Sequence, residues 1–131
     1  MRARSYKPRK VNVVTLGCAK NIFDSEVMMA QLRANDFEVE HEAKQDDSGI
    51  VIVNTCGFIE AAKQESIDTI FRFAQAKAEG HLERVYVTGC LSERYKEELA
   101  DGIPEVDDWF GTRDLPRLLK TLRADYKKEL V

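Results

Sequence analysis

The stretch "IVIVN" (Ile50–Asn54) decides the fold of this chain. It is short, β-branched and free of polar alternation, which is typical of a strand buried on both faces of a parallel sheet. "VNVVTL" (Val11–Leu16) has the same character, and "RVYVT" (Arg84–Thr88) is predicted to be another strand. Two weaker strands are predicted at Phe37–His41, which alternates and suits a sheet edge, and at Val106–Phe110.

Helical patterns separate these strands. The predicted helices are Asp24–Ala34 with Asp24 or Ser25 as its cap, about Glu60–Ala78 ended by Gly80, Ser92–Ala100, and a last helix capped by Asp114. The order β-α-β-β-α-β-α-β-α predicts an α/β fold, a three-layer α/β/α sandwich with a mostly parallel sheet of about five strands. In outline this fold is flavodoxin-like.

The composition of the 131 residues suits one ordinary domain, with 44% hydrophobic residues for a core and a net charge of −3 that gives no strong attraction to nucleic acid. The first ten residues are nevertheless basic, and we predict that residues 1–10 form a solubilising arm, with contact to RNA or a ribosome as the alternative. The basic residues of this arm are Arg2, Arg4, Lys7, Arg9 and Lys10. No apolar stretch approaches the roughly 20 residues of a membrane span, and the start is charged, so we expect a cytoplasmic protein.

The three cysteines of the chain, Cys18, Cys56 and Cys90, each lie just past the end of a predicted strand. If the strand order is 2-1-3-4-5, those strands are neighbours about 4.8 Å apart, and the thiols would converge on one small site at the carboxyl edge of the sheet. Small residues beside each cysteine would let the backbone approach a bulky inorganic group. These residues are Gly17, Thr55, Gly57 and Gly89.

Three thiolates at one place indicate a metal. Zinc with three cysteines and a water, and an iron–sulfur cluster with one iron lacking a protein ligand, fit the residue chemistry equally. For any single cysteine, a small core residue is the favoured interpretation, but three in equivalent places favour a site. His41 and His81 are far from the cysteines in sequence and are predicted to be surface or strand-packing residues. The chain contains neither G-x-G-x-x-G nor G-x-x-x-x-G-K-[ST], so the sequence gives no motif support for a dinucleotide-binding site or a P-loop.

Three separated motifs resemble the N-terminal domain of radical S-adenosylmethionine methylthiotransferases. They are "TLGCAKNIFDSEVM" (Thr15–Met28), "VNTCGFIEAAKQESID" (Val53–Asp68) and "VTGCLSERY…IPEVDDWFG" (Val87–Gly111). The likeness extends from about Lys10 to Leu122. Lys20-Asn21 and Gly57-Phe58-Ile59 are similar to the branch that modifies an aspartate of a small-subunit ribosomal protein, rather than to the tRNA branch.

The resemblance implies that Cys18, Cys56 and Cys90 hold an auxiliary [4Fe–4S] cluster with one open iron, which presents the sulfur for methylthiolation. It implies no catalytic residue in this chain itself. We expect the neighbouring motif residues to support the cluster loops, with helix capping and turn formation as the alternative. These support residues are Gly17, Asn21, Asp24, Ser25, Asn54, Thr55, Gly57 and Gly89.

The family also carries a C-x-x-x-C-x-x-C motif, which this chain lacks. The resemblance therefore implies a parent transferase in which a radical-SAM domain, with S-adenosylmethionine and a second [4Fe–4S] cluster, and a C-terminal RNA-binding-type domain follow residues 11–131. Alone, the chain is expected to be inactive. Expected partners are the radical-SAM domain, a small-subunit ribosomal protein substrate, and the ribosome or a sulfur-donor protein. The alternatives are the N-terminal domain of a tRNA adenosine methylthiotransferase, a structural zinc domain, or a flavodoxin-like binding module.

Overall fold

The computed structural model describes residues 7–17, 19–42, 47–56 and 60–124. Within these ranges, strands and helices alternate along the chain. They are β1 (Lys7–Thr15), α1 (Ala19–Ala34), β2 (Glu38–His41), β3 (Ser48–Thr55), α2 (Glu60–Ala78), β4 (Arg84–Gly89), α3 (Cys90–Gly102), β5 (Asp108–Trp109) and α4 (Leu115–Thr121). Among these helices, none has the length and apolar content that a membrane span requires.

The sheet has five strands in the order β2-β1-β3-β4-β5, and every pair is parallel. This confirms the predicted α/β fold and its strand order. β3 is the central strand, and all of its residues are buried. Val51 pairs with Asn12 of β1 on one side and with Val85 of β4 on the other. Since both faces of β3 are covered, its sequence has no polar alternation.

Two helices cover each face of the sheet. Ile50 and Ile52 of β3 belong to the core on the face of α1 and α4, whereas Val51 and Val53 belong to the core under α2 and α3. Successive side chains of a strand point to opposite faces, so a continuous apolar run supplies both layers at once. The result is a three-layer sandwich, as the sequence predicted.

Some element boundaries differ from the prediction. Helix α1 begins at Ala19, five residues before the predicted start, because Gly17 has a φ of 93° that turns the chain and the residues after Cys18 are good helix formers. Asp24 and Ser25 therefore lie inside the helix, and their predicted role as caps is wrong. Helix α2, by contrast, spans Glu60–Ala78 as predicted.

Two further boundaries follow from backbone geometry near the strand ends. Helix α3 begins at Cys90 rather than Ser92, because Gly89 turns the chain from β4 directly into the helix without a loop. Strand β5 is limited to Asp108–Trp109. Strand β1 begins at Lys7, so the last four residues of the predicted basic arm belong to this strand, and Lys7 and Lys10 pair with neighbouring strands, while residues 1–6 lie outside the described ranges.

A buried lysine holds the short connection between β2 and β3. These strands lie on opposite sides of β1, and only residues 42–47 join them. The Lys10 side chain of β1 is 5% exposed and contacts three carboxylates, those of Glu38, Glu40 and Asp47. Hydrogen bonds to Asp47 and Glu40 raise the pKa of Lys10 above its ordinary value. The ammonium therefore ties β2 and the start of β3 to the strand between them.

We expect Lys10→Met to lower the midpoint of thermal unfolding by several degrees, because it leaves a cluster of carboxylates without its cation. Lys20→Met is the control, since Lys20 is 61% exposed and its ion pair with Asp24 lies on the helix surface. Differential scanning calorimetry measures both variants. Equal midpoints for the two would contradict a structural role of the Lys10 cluster.

Candidate metal centre

The carboxyl ends of β1, β3 and β4 lie side by side, and the described cysteines follow two of them. Cys56 comes directly after β3 and is 5% exposed. Cys90 comes directly after β4, is partly exposed, and forms the first residue of α3. The thiols of Cys56 and Cys90 are not bonded to each other. Cys18 lies outside the described residues, between Gly17 and the start of α1.

The backbone at Gly17 packs directly on Cys56. A Cβ atom built on Gly17 would lie 2.4 Å from Cβ and 2.8 Å from Sγ of Cys56, closer than real carbon atoms approach. A side chain at residue 17 would therefore displace Cys56. The residue that precedes Cys18 thus touches the second cysteine of the sequence.

The backbone at Gly89 packs on the end of β3 in the same way. Its φ of 99° and ψ of −167° belong to a region that is essentially restricted to glycine. A Cβ atom here would lie 2.4 Å from the Thr55 carbonyl oxygen and 2.7 Å from Asn54 Oδ1. Gly17 and Gly89 thus bring the backbone close to the end of β3, while their approach to an inorganic group stays a prediction and Gly57 lies outside the described residues.

These contacts make the edge suitable for a thiolate-bound metal. Gly17, before Cys18, and Gly89, before Cys90, pack on the end of β3 at Thr55 and Cys56, where the absence of a Cβ atom leaves room for the contact. Cys90 lies at the positive end of the α3 dipole, which stabilises a thiolate. Cysteine sulfurs suit zinc and iron–sulfur clusters. No group of three histidine, cysteine or acidic side chains able to hold a metal occurs among the described residues, which do not include Cys18.

Two buried asparagines fix the geometry of the strand ends. The Asn21 side-chain amide donates to the Leu16 carbonyl at 2.7 Å and to the Thr55 carbonyl at 2.9 Å. The Asn54 amide donates to the Asn21 carbonyl and to Ser25 Oγ, both at 3.0 Å. Each asparagine is 2% exposed, so these bonds form away from water. They tie α1 to the ends of β1 and β3.

Hydroxyl groups extend this network in both directions along the sheet. Thr55 Oγ1 donates to the Thr88 carbonyl at 2.7 Å, which ties β3 to β4. On the other side, Thr15 Oγ1 lies 2.6 Å from Ser25 Oγ and 2.7 Å from Nε2 of His41 on the edge strand. His41 is exposed, as predicted, and is also the outer end of this chain of hydrogen bonds.

Four of the predicted support residues are brought together by these hydrogen bonds, and one is not. Asn21, Ser25, Asn54 and Thr55 join in the network. The Asp24 carboxylate instead accepts from Lys20 at 3.2 Å on the exposed side of α1. The position of Asp24 in the motif therefore does not reflect a contact with the other four.

Ser66 of α2 was missed by the sequence analysis. Its hydroxyl accepts from the Cys56 N–H at 3.2 Å and donates to the Cys56 carbonyl at 3.1 Å. The side chain is fully buried. The available signal was a small polar residue on the apolar stripe of α2, four residues before Ile70 and seven before Phe73. Ser66 thus holds the backbone of the cysteine that follows the central strand.

A cavity of about 220 Å³ opens beside the Gly89 turn, between α1 and α4. Met28 and Leu115 form apolar walls, and Asn54 adds a polar one. Phe23, on the first turns of α1, also lines this cavity and is 64% exposed. The carboxyl edge therefore carries a hollow with mixed apolar and polar walls next to the turn that leads into Cys90.

Comparisons with known proteins agree on a family. A model of the family described as "Uncharacterized protein family UPF0004" matches residues 10–111. The chain is 55% identical over 131 residues to a ribosomal protein uS12 methylthiotransferase RimO of Cytophaga hutchinsonii. It is 57% identical over 132 residues to the protein of that name in Flavobacterium johnsoniae. Both matches cover all of this chain and 30% of the relative. A methylthiotransferase is a transferase, and the chain spans about 30% of the length of these relatives.

Gly89→Ala should destabilise the domain by at least about 3 kcal/mol, because the new methyl group would clash with the Thr55 backbone in a conformation that only glycine adopts easily. Gly80→Ala is the matched control. Gly80 also has a positive φ, of 83°, but no atom lies within 4 Å of its built Cβ, so the cost should be about 1 kcal/mol. Urea unfolding measures both. Equal costs would mean that the close approach at Gly89 is unimportant.

Ser66→Ala should cost about 2 kcal/mol, since it leaves the buried N–H and carbonyl of Cys56 without this partner. Ser92→Ala provides a comparison on the neighbouring helix. Ser92 is equally buried, but its hydroxyl has no hydrogen-bond partner within the described residues, so its removal should change stability by less than about 0.5 kcal/mol. Chemical denaturation of the two variants tests this difference, and the reverse order would refute the role given to Ser66.

Proposed function

The chain belongs to the UPF0004 family, and from this premise we propose that it is the cluster-binding part of a ribosomal protein uS12 methylthiotransferase. Cys18, Cys56 and Cys90 would hold a [4Fe–4S] cluster through three thiolates. When bound, that cluster would supply the sulfur of the methylthio group.

One observation carries the proposal. Gly17, which precedes Cys18, packs on Cys56, and Gly89, which precedes Cys90, packs on Asn54 and Thr55. Covalent connection to these glycines would then keep all three cysteines near one point at the carboxyl edge of the sheet. Three cysteines that served only as core residues would not require glycine contacts of this closeness. Identities of 55–57% to proteins named RimO support the same function.

The surrounding residues would hold the thiolates in place rather than react. Asn21 and Asn54 fix the backbone around the first and second cysteines, and Thr55 fixes the end of β4. Ser66 fixes Cys56 through both of its backbone groups. Such outer-shell partners limit the movement of metal ligands and thereby favour one bound group over others.

The remaining length of the parent protein would carry the rest of the reaction. We propose that a radical-SAM domain with S-adenosylmethionine and a second [4Fe–4S] cluster lies there, since this chain spans about 30% of its relatives. The substrate would be an aspartate of a small-subunit ribosomal protein, and the place of action the cytoplasm. The names of the relatives favour this branch over the tRNA branch.

Iron and acid-labile sulfide, measured per chain after anaerobic reconstitution, test the proposal. The unaltered chain should hold about four of each. Each of Cys18→Ala, Cys56→Ala and Cys90→Ala should lose most of both, because a thiolate ligand is removed. Ser92→Ala, which leaves all three thiols in place, should retain them. Circular dichroism of the metal-free variants separates loss of the cluster from loss of the fold.

Other results would overturn the cluster. Zinc bound through the cysteines without sulfide would indicate a structural zinc domain. A releasable yellow flavin would indicate a flavodoxin-like binding module. Iron that is indifferent to all three substitutions would leave three thiols packed at strand ends.

A further inference from the structure

A second pocket lies at the amino edge of the sheet, opposite the cysteines. Its volume is about 300 Å³, and three arginines line it, Arg9 from β1, Arg84 from β4 and Arg123 after α4. Along β3, Ile50 lines this pocket, whereas Cys56 follows the other end of the strand. Six residues at about 3.3 Å each separate the two sites by roughly 20 Å.

Two of these guanidinium groups are held in place by aromatic residues. Arg9 stacks over the Phe37 ring at 4.1 Å, and its Nη2 donates to the Asn35 carbonyl at 3.0 Å. Arg84 Nη1 donates to the Tyr86 hydroxyl at 3.3 Å. Burial raises the pKa of Tyr86, so the phenol remains protonated and neutral. Each of these two arginines thus uses one donor for orientation, and no further hydrogen bond of either guanidinium group occurs within the described part of the chain.

The third arginine occupies a backbone position at which glycine is usual. α1, α2 and α4 all end with the same pair of hydrogen bonds, in which the residue after the helix takes a left-handed conformation. That residue is Asp36, Gly80 and Arg123 respectively, with φ of 59° at Arg123. Arg123 makes no side-chain hydrogen bond or ion pair with the rest of the described chain. A strained arginine whose charge has no partner among the described residues indicates a use for that charge.

The pocket is lined mainly by positive charges, although the chain as a whole is negatively charged. Three guanidinium groups face one lining carboxylate, Glu83, in a chain whose net charge is −3. The nearby Asp107 carboxylate is already occupied by Lys77 and by the Val85 N–H. An excess of oriented guanidinium forks suits an oxyanion with several acceptor oxygens.

We propose that the arginine pocket lined by Arg9, Arg84 and Arg123 binds a phosphate group. Its source is either the backbone of an RNA or a small free phosphate, and the two share the chemistry that the guanidinium groups recognise. The site lies apart from the cysteines and is independent of the cluster.

The test uses two probes. Binding of a fluorescein-labelled RNA of about twelve nucleotides is measured by anisotropy at about 50 and 200 mM salt, and binding of inorganic phosphate is measured by titration calorimetry. Arg123→Gly should weaken binding about tenfold, and Arg84→Gln by a similar factor. Because glycine relieves the left-handed strain, Arg123→Gly should also raise the thermal midpoint, so that lost binding is not lost folding. Lys120→Gln removes one charge from α4 outside the pocket and should weaken binding less than about twofold.

The two probes distinguish an RNA backbone from a free phosphate as the source of the phosphate group. RNA binding that depends on Arg123 assigns the pocket to a nucleic-acid backbone, and phosphate binding without RNA binding assigns it to a free phosphate. Cys56→Ala should bind as the unaltered chain does, even if no cluster forms. Absence of binding by both probes would refute the proposal. So would an equal loss in Arg123→Gly and Lys120→Gln, because it would show attraction to general charge.

Discussion

The close approach of two backbones to the end of β3 is the constraint on which the carboxyl edge depends. Gly17 and Gly89 both touch the last residues of the central strand at distances that exclude any side chain. A parallel sheet aligns its strand ends but does not by itself bring the following loops together. Here the absence of two Cβ atoms does so, and the hydrogen bonds of Asn21, Asn54 and Thr55 then hold the loops in that position.

Polar side chains are buried at this edge because they bond the backbone at the strand ends. The carbonyls of Leu16, Thr55 and Thr88 each accept a hydrogen bond from a side chain there. Side chains of α1 and β3 supply these donors. The same bonds that satisfy the backbone also fix the strand end that precedes Cys56, so stability and the geometry of this edge depend on one set of contacts.

The architecture could be predicted from the sequence, whereas the contacts at the carboxyl edge could not. Apolar runs such as Ile50–Asn54 indicate burial on both faces, and the strand order 2-1-3-4-5, which the sequence analysis took as a condition, is the one that the sheet has. Periodicity misses the start of α1, since its first turn carries no apolar stripe. Ser66 was missed because its contact with Cys56 depends on how α2 lies on the sheet, which neither residue encodes alone.

The two edges of the sheet have opposite electrostatic character for a reason built into the topology. Every helix returns antiparallel to the strands, so helix amino ends face the cysteines and helix carboxyl ends face the other edge. Basic residues in the last turns, Arg33, Lys77 and Lys120, are what the dipoles favour there. Arg9 donates to the Asn35 carbonyl just after α1, and Arg123 follows the last turn of α4, so both also lie at helix carboxyl ends. Arg84 reaches the same pocket from β4, and the phosphate proposed for this pocket would lie among all three guanidinium groups.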